Sequence, residues 1–532
     1  MNRTGRTEAS EMRTLTWDEV EILIVGAGTM GASLTQAYAQ SGFAVGVVDI
    51  SDQILERARA TIDAELGSAL KAGIFTQDQV EEIRGRILMT TRYEEACSGT
   101  SLKLVIETAT ENIEIKKEIF RTLDRLCAPE VVIASNSSSL DTNILARETR
   151  RPDKVVWMHY FYLPHKNRAG EVAGTDTASP ESVALAAKYM KLAGKLATPI
   201  LSSRKGGAAD VIFVALLLEA TRMVDEGFDI PSIEAAGRAA FNMPVGFLGL
   251  MDATGLPLGI ATMFSFSDAS NPDDPLYRVY RNFFTPPSSY RKKLEEYEKA
   301  EDKSRVKWVP EDQAGKEPKD PAAVERLKER FLAVGFMTAC EVVEAGVIAL
   351  EDVDRLCRNA FLWREGPFFL MNRVGVEEAL RMVQEREALA RSQKIHFPVP
   401  RILVDQAKKK EPWPLVLSPV VLSREMQDRV ARIMLSNPQA ANALDNRVFD
   451  DLSALFQKAY EDDRVGVVVF DTAPIKTFIA GANVPDFIAN IRKGNFSGIR
   501  ENTAMWQDVL FHRMTGSGKP KVAIVSSGDE IV

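Results

Sequence analysis

The sequence predicts three consecutive units: an α/β domain around a parallel sheet, an all-α domain with an internal repeat, and a shorter α/β segment. Three observations carry this. Apolar runs of strand length alternate with long amphipathic stretches up to about Ser203, as in βαβ units. From Gly206 to about Arg391 strand-type runs nearly vanish, and one pattern recurs about 120 residues further on. Past a Pro-rich stretch from Phe397 to Pro419, strand and helix patterns resume.

The first unit opens with a strand, Glu21–Val25, that leads into Gly26-Ala27-Gly28-Thr29-Met30-Gly31 and a helix over Ala32–Ser41. A second strand, Ala44–Val48, closes on Asp49, and further strands fall at Leu102–Ile106, Val131–Ala134 and Val155–Met158. In the middle unit, Glu219–Gly227, Pro244-Val245-Gly246 and Asp252–Gly255 are echoed by Glu341–Gly346, Glu365-Gly366-Pro367 and Gly375. Two such copies would bury the faces that neither buries alone. The intervening 266–320, rich in Pro, Lys, Glu and Asp, is expected as a surface excursion outside the core. The expected boundaries are thus a polar tail over 1–17, the α/β domain over 18–203, the helical domain over 204–396, a linker over 397–420 and the last segment over 421–532. That segment carries strands at Arg429–Leu435 and Val465–Phe470 around a helix from about Arg447 to Glu461.

Composition narrows the function. The chain has 532 residues, 45% hydrophobic and 26% charged, as in globular proteins, and its net charge of −8 argues against a general nucleic-acid binder. Met1–Thr16 lack the apolar stretch of a signal peptide, and the run around Val211–Leu218 stops at Glu219, too short to span a bilayer. Cys97, Cys127, Cys340 and Cys357 show no metal or disulfide spacing and are expected as reduced thiols in a cytoplasmic protein, with no metal site and no membrane partner.

Gly26, Gly28 and Gly31 form G-x-G-x-x-G between a strand and a helix, the dinucleotide fingerprint of the Rossmann fold. Its glycines allow the tight turn and the close approach of backbone to a pyrophosphate, which the helix N-terminus then binds. Asp49 would accept hydrogen bonds from a ribose 2′-hydroxyl and repel a 2′-phosphate, which favours NAD over NADP; the same fingerprint also serves FAD. Among the four histidines, His159 follows directly on the strand Val155–Met158, so it should lie at the carboxyl edge of the sheet, where open α/β sheets bind ligands. Glu171, twelve positions on, could fold back to fix its tautomer and leave the other nitrogen as a base.

Asn136-Ser137-Ser138-Ser139-Leu140, Glu111-Asn112 with Lys116, Pro244-x-Gly246 and Asp252-x-x-Gly255 together resemble the L-3-hydroxyacyl-CoA dehydrogenase family over about residues 20–390. The resemblance implies an oxidoreductase that interconverts (S)-3-hydroxyacyl-CoA and 3-oxoacyl-CoA with NAD. It makes His159 the base for the C3 hydroxyl, Glu171 its partner and Ser138 a hydrogen-bonding neighbour of the reacting oxygen and cofactor. Glu111 and Lys116 would serve the nicotinamide half. Two departures stand out. The family's His-Phe-Phe-Asn-Pro reads His159-Tyr160-Phe161-Tyr162-Leu163 here, and a substrate-contacting Asn falls on Asp210.

Arg432–Leu444 and Phe478-Ile479-Ala480-Gly481-Ala482-Asn483 resemble the enoyl-CoA hydratase/isomerase (crotonase) family, which implies one oxyanion-hole donor at the backbone of Ala482. The resemblance would place the catalytic glutamates after Val532, so this chain is expected not to hydrate enoyl-CoA alone. Further residues or a separate polypeptide could complete that unit. An acyl-CoA is the expected small-molecule partner, and a homo-oligomer is compatible with the sequence. Two other readings remain open: an NAD-dependent 3-hydroxy acid dehydrogenase that does without CoA, and a catalytically weak NAD-binding interaction protein.

Overall fold

The computed structural model describes residues 15–202, 204, 206–254, 266, 274, 276–281, 283–415, 420–425, 429–435, 444, 446–472, 477–479, 492, 495–507, 521–523 and 530–531. Eight strands build the first sheet: β1 (Ile22–Val25), β2 (Val45–Val48), β3 (Ile87–Thr90), β4 (Leu104–Glu107), β5 (Val132–Ser135), β6 (Val155–Tyr160), β7 (Ala169–Gly174) and β8 (Leu196–Pro199). Their order is β3-β2-β1-β4-β5-β6-β7-β8. Strands β1 to β6 are mutually parallel, whereas β7 runs antiparallel to β6 and parallel to β8. β1, β2, β4 and β5 are buried throughout, which is why they read as continuous apolar runs with no alternation. The parallel Rossmann-type sheet, the helical middle and the small C-terminal sheet agree with the fold class that the sequence predicts.

Some elements differ from expectation for identifiable reasons. The first helix begins at Thr29, three residues before Ala32, because Gly28 is its N-cap. β7, Ala-Gly-Glu-Val-Ala-Gly, has the composition of a poor strand, and its pairing with β6 makes it one.

The helical unit contains the expected repeat, and a buried carboxylate marks it twice. Glu234 on the helix Ile230–Phe241 accepts N–H bonds from Leu248 (2.9 Å) and Gly249 (3.3 Å), at the start of the helix Phe247–Thr254. Asp354, 120 residues on in the helix Leu350–Ala360, accepts from Phe368 (2.9 Å) and Phe369 (2.8 Å), at the start of the helix Pro367–Val374. Each carboxylate caps a helix N-terminus, where unsatisfied N–H groups and the dipole favour an anion. A Cβ at Gly246 would lie 2.5 Å from Glu234 Oε1, and one at Gly366 would lie 2.3 Å from Asp354 Cγ. The glycine in each copy's Pro/Gly motif is therefore the room that the capping carboxylate needs.

Two expectations are corrected here. The stretch 266–320 is not merely a surface excursion. Phe266, Phe283, Phe284, Tyr290 and Trp308 are buried in the helical core, and Asp252 accepts from Trp308 N (2.7 Å) and Val309 N (2.9 Å). Widely spaced aromatics anchor a segment whose average composition is polar. Nor is 397–420 a free linker. Its residues Arg401–Lys409 form a helix, Leu403 and Trp413 are buried, and Asn372 bonds both the N–H (2.7 Å) and the C=O (3.0 Å) of Trp413.

In the last unit β9 (Val420–Glu425), β10 (Val430–Leu435), β11 (Val467–Thr472), β12 (Thr477–Ile479), β13 (Lys521–Ala523) and β14 (Glu530–Ile531) follow. One sheet has the order β13-β11-β10-β9, and β12 pairs with β14. The helix Asn446–Glu461 packs Val448, Phe449, Leu452 and Phe456 against Ile433 and Val468. Ala482 lies outside the described residues. Among the described residues, no helix is long and apolar enough to cross a membrane.

Candidate active site

The Gly-rich turn takes its shape from contacts that only glycine permits. Gly26 has φ +94°, and a Cβ on it would approach Ala109 N to 2.9 Å; one on Gly31 would lie 1.9 Å from Gly26 O. Gly28 differs. It is exposed, a Cβ there would meet nothing within 4 Å, and the following Thr29 is also exposed. The start of the helix Thr29–Gln40 therefore presents free N–H groups with no side-chain cap, a cradle for a pyrophosphate. Asp49 follows β2 and is held by N–H bonds from Ala27 (2.6 Å) and Ile50 (2.7 Å), with the Ile50 side chain 85% exposed beside it. These features fit a dinucleotide.

At the carboxyl ends of β4 and β5 lies a network that sequence reasoning saw only in part. Lys116 is buried and donates to both oxygens of Glu107 (2.7 and 2.9 Å), with Glu111 3.5 Å away. Burial raises the Glu107 carboxyl, against the opposing pull of Lys116. Glu111 in turn accepts from the hydroxyls of Ser137 and Ser139, the latter at 2.7 Å. Ser138, between them, lines the central cavity together with Met30, Glu111, Lys116 and His159. Glu107 was missed in the sequence, because a glutamate closing a buried strand carries no local signal of its partner.

His159 sits on β6 directly opposite Glu171 on β7. Its Nδ1 is 2.9 Å from Glu171 Oε2, and the other carboxylate oxygen accepts from Ala209 N at 3.1 Å. The imidazole stacks on Trp157 (centroids 5.3 Å, 17°) and meets the edge of Phe161. Nε2 is 3.6 Å from Asp210 Oδ2, an oxygen that is buried and has no hydrogen-bond partner. Burial lowers the His159 pKa, but the carboxylates of Asp210 and Glu171 outweigh it, so the imidazolium is favoured beyond the ordinary range. Burial also raises Asp210 to about 6, although His159 opposes this.

Asp210 stands in the first turn of the helix Ala208–Asp225, and Phe213, Val214 and Leu217 follow it at i+3, i+4 and i+7. These four share one helix face, and all line the same cavity of about 450 Å³. The second copy of the repeat adds Ala360, Phe361 and Leu362. Periodicity could have flagged the first stripe; nothing in the sequence pointed to the last three.

Comparison with known proteins identifies the family of the two domains that carry these residues. Residues 21–203 match the 3-hydroxyacyl-CoA dehydrogenase NAD binding domain, and residues 207–302 and 327–411 match the C-terminal domain of the same family. A probable 3-hydroxybutyryl-CoA dehydrogenase of Bacillus subtilis is 30% identical over 266 residues, 49% of this chain and 91% of that protein. The chain belongs to the 3-hydroxyacyl-CoA dehydrogenase family. It carries that family's NAD binding domain, into which the open Gly28 cradle and Asp49 fit. A solved 3-hydroxybutyryl-CoA dehydrogenase from Escherichia coli shares the fold, with a TM-score of 0.62 at 20% identity over 74% of this chain and 98% of that one. A glyoxysomal fatty acid beta-oxidation multifunctional protein of Brassica napus is 27% identical over 50% of this chain and 35% of its own length. Residues 430–527 match enoyl-CoA hydratase/isomerase, so this dehydrogenase-family chain also carries crotonase-like sequence.

Proposed function

We propose that this chain interconverts (S)-3-hydroxyacyl-CoA and 3-oxoacyl-CoA, with His159 exchanging the proton at the C3 oxygen. The observation that carries the reading is the His159–Glu171 pair. One imidazole nitrogen is fixed by a fully buried carboxylate at 2.9 Å, and the other lies at a cavity that also borders the Gly-rich helix. The CoA thioester is taken from the relatives, which include 3-hydroxybutyryl-CoA dehydrogenases.

Bound NAD would supply the hydride acceptor for the C3 carbon. The residues of the chain do the rest. Glu171 holds Nδ1–H, so that Nε2 is the atom that takes a proton from the hydroxyl or returns one to the ketone. Ser138 and Asn136 border the same space, and Asn136 Oδ1 accepts from Tyr160 N (3.0 Å), which fixes the strand end beside His159. Glu111 and Lys116 line the same cavity as Met30 and would hold the nicotinamide half of bound NAD. Asp210 favours the imidazolium, the form that reduces a 3-oxoacyl group, so oxidation needs a higher pH than reduction.

NADH oxidation with acetoacetyl-CoA tests the proposal. His159→Gln is expected to bind NADH nearly as wild type and to turn over at least about 10²-fold more slowly, a usual general acid–base contribution. A wild-type protein without turnover, or a fully active His159→Gln, would refute it.

A further inference from the structure

We propose that the acyl group preferred at this site carries an aromatic or six-membered carbocyclic ring one methylene beyond C3, seated on a wall of Phe161, Phe361 and Phe213. The inference rests on the 3-hydroxyacyl-CoA reading above and adds the class of acyl group.

The wall starts at the His159 ring. Phe161 touches the His159 ring edge-on (4.7 Å, 61°) and meets Phe361 at right angles (6.1 Å, 90°). Phe361 then stacks on Phe213 (4.7 Å, 13°). Behind it Phe361 contacts Trp363 (5.2 Å), itself buried and stacked on Phe241 (4.0 Å, 18°). The rings are thus braced from behind and present fixed faces and edges. A ring gains on such a surface because aromatic pairs favour offset or edge-on arrangements beyond what area burial gives. A linear chain gains the area alone and loses more rotational freedom on binding. Size points the same way. The cavity of about 450 Å³ also borders Met30, Glu111 and Lys116, so a nicotinamide placed beside them would leave the acyl group only part of it.

An independent observation comes from the repeat. The helices Ile230–Phe241 and Leu350–Ala360 are in register at a spacing of 120, so Asn242 and Leu362 occupy equivalent positions. Both are left-handed, with φ 51° and φ 56°. Asn tolerates that conformation; a leucine there is disfavoured. Leu362 is nevertheless 56% exposed, and with Tyr162 (44% exposed) it borders this same cavity. A strained, exposed leucine contributes nothing to the core. It makes sense as a surface that an apolar ligand covers.

The test compares 3-oxo-4-phenylbutanoyl-CoA with 3-oxodecanoyl-CoA, which have equal carbon number, using acetoacetyl-CoA as the reference, each with NADH. In wild type, kcat/KM for the ring substrate is expected to exceed that for the chain by about threefold to tenfold. Leu362→Asn places at this position the residue that the first copy carries in the same backbone conformation, so it is expected to fold. It should raise KM for the ring substrate more than for acetoacetyl-CoA. Phe361→Leu should bring the ring-to-chain ratio towards one. A wild-type ratio of one or below, or a ratio unmoved in both variants, overturns the inference while leaving acetoacetyl-CoA reduction intact. Absence of turnover with all three thioesters overturns the reading beneath it. Competitive inhibition of acetoacetyl-CoA reduction by phenylacetyl-CoA and octanoyl-CoA gives the same comparison without a variant; equal inhibition constants would count against the ring.

Discussion

Gly207→Ala is a one-methyl test of the His159–Glu171 pair. Gly207 caps the helix Ala208–Asp225 with φ −95° and ψ −179°, extended backbone that alanine adopts without strain. Its Cβ, however, would lie 2.0 Å from Glu171 Oε2, 2.4 Å from Cδ and 2.5 Å from Oε1. Since Cβ contacts below 3.0 Å essentially never occur, the carboxylate must retreat by about 1 Å or more. Glu171 is fully buried and held by His159 Nδ1 at 2.9 Å and Ala209 N at 3.1 Å, so it has no slack to give without breaking one of them. A hydrogen bond to a charged group contributes about 1.5–3 kcal/mol. At 1.36 kcal/mol per decade, its loss from the transition state lowers kcat by about 10- to 150-fold. The assay is steady-state NADH oxidation with acetoacetyl-CoA, with NADH affinity and Tm measured alongside. NADH affinity is expected to hold, because the Gly28 cradle is untouched. Glu171→Asp in the Gly207→Ala background shortens the side chain and should recover part of the rate. A kcat within twofold of wild type at unchanged Tm would refute the argument that Glu171 orients the base.

Three further variants give expected outcomes. Asp210→Asn removes the carboxylate 3.6 Å from His159 Nε2, so the pH profile of hydroxyacyl-CoA oxidation should move to lower pH; an unmoved profile would show that the two groups do not interact. Because the folded-state pKa of Asp210 is raised from 3.8 to about 6, its favourable contribution exists below about pH 4 and is lost as pH rises through about 6. Denaturant titration should accordingly find Asp210→Asn more stable than wild type above pH 6, by no more than about 3 kcal/mol. Asp49→Ala should narrow the preference for NADH over NADPH, checked as a ratio of kcat/KM; a wild type equally efficient with both would remove the role given to Asp49. Glu219 is fully buried and bonded by Arg330 and Arg386, with Arg222 at 3.7 Å, and these cations hold its carboxyl far below the usual range against the cost of burial. Its contribution is present above the ordinary carboxylate range and is lost as pH falls through the lowered one. Glu219→Gln should cost about 3–5 kcal/mol at neutral pH, read as a fall in Tm.

The features that were legible in the sequence depend on residues close along the chain. Gly26, Gly28 and Gly31 share one turn, Asp49 follows the adjacent strand, and His159 stands near the carboxyl end of its strand, which runs on to Tyr160, two residues past the expected end at Met158. The repeat was legible for the same reason: each Pro/Gly motif stands near the carboxylate whose space it opens. What stayed hidden is a matter of partner choice across the fold. Lys116 looks like a residue of a solvated helix start until Glu107 is found opposite it. The segment 266–320 looks polar because Phe283, Tyr290 and Trp308 are diluted among charges, although burial is decided residue by residue. Trp413, flanked by two prolines, marks a docked end of the helical domain where composition suggested a linker.

The two copies of the helical unit have come to do different work, and the difference bears on how the site closes. The first supplies one face of the cavity through Asp210, Phe213 and Leu217 on a helix that starts at the His159–Glu171 pair. The second supplies Phe361 and Leu362 and is tied to the α/β domain beside the site, where Asn167 in the β6–β7 connection donates to Ala360 O at 3.0 Å. Phe241, the first copy's equivalent of Phe361, lies 1% exposed in the core against Trp363, so the same position is structural in one copy and lines the cavity in the other. The copies are also joined through charge, since Glu219 of the first accepts from Arg330 and Arg386 of the second. A buried network of this kind resists sliding of one helix pair past the other, because any shift would leave a desolvated guanidinium without its counter-charge. The second copy therefore holds Phe361 of the aromatic wall in fixed register with Phe213 of the first copy and with His159 of the α/β domain, and the cavity requires both copies to be complete.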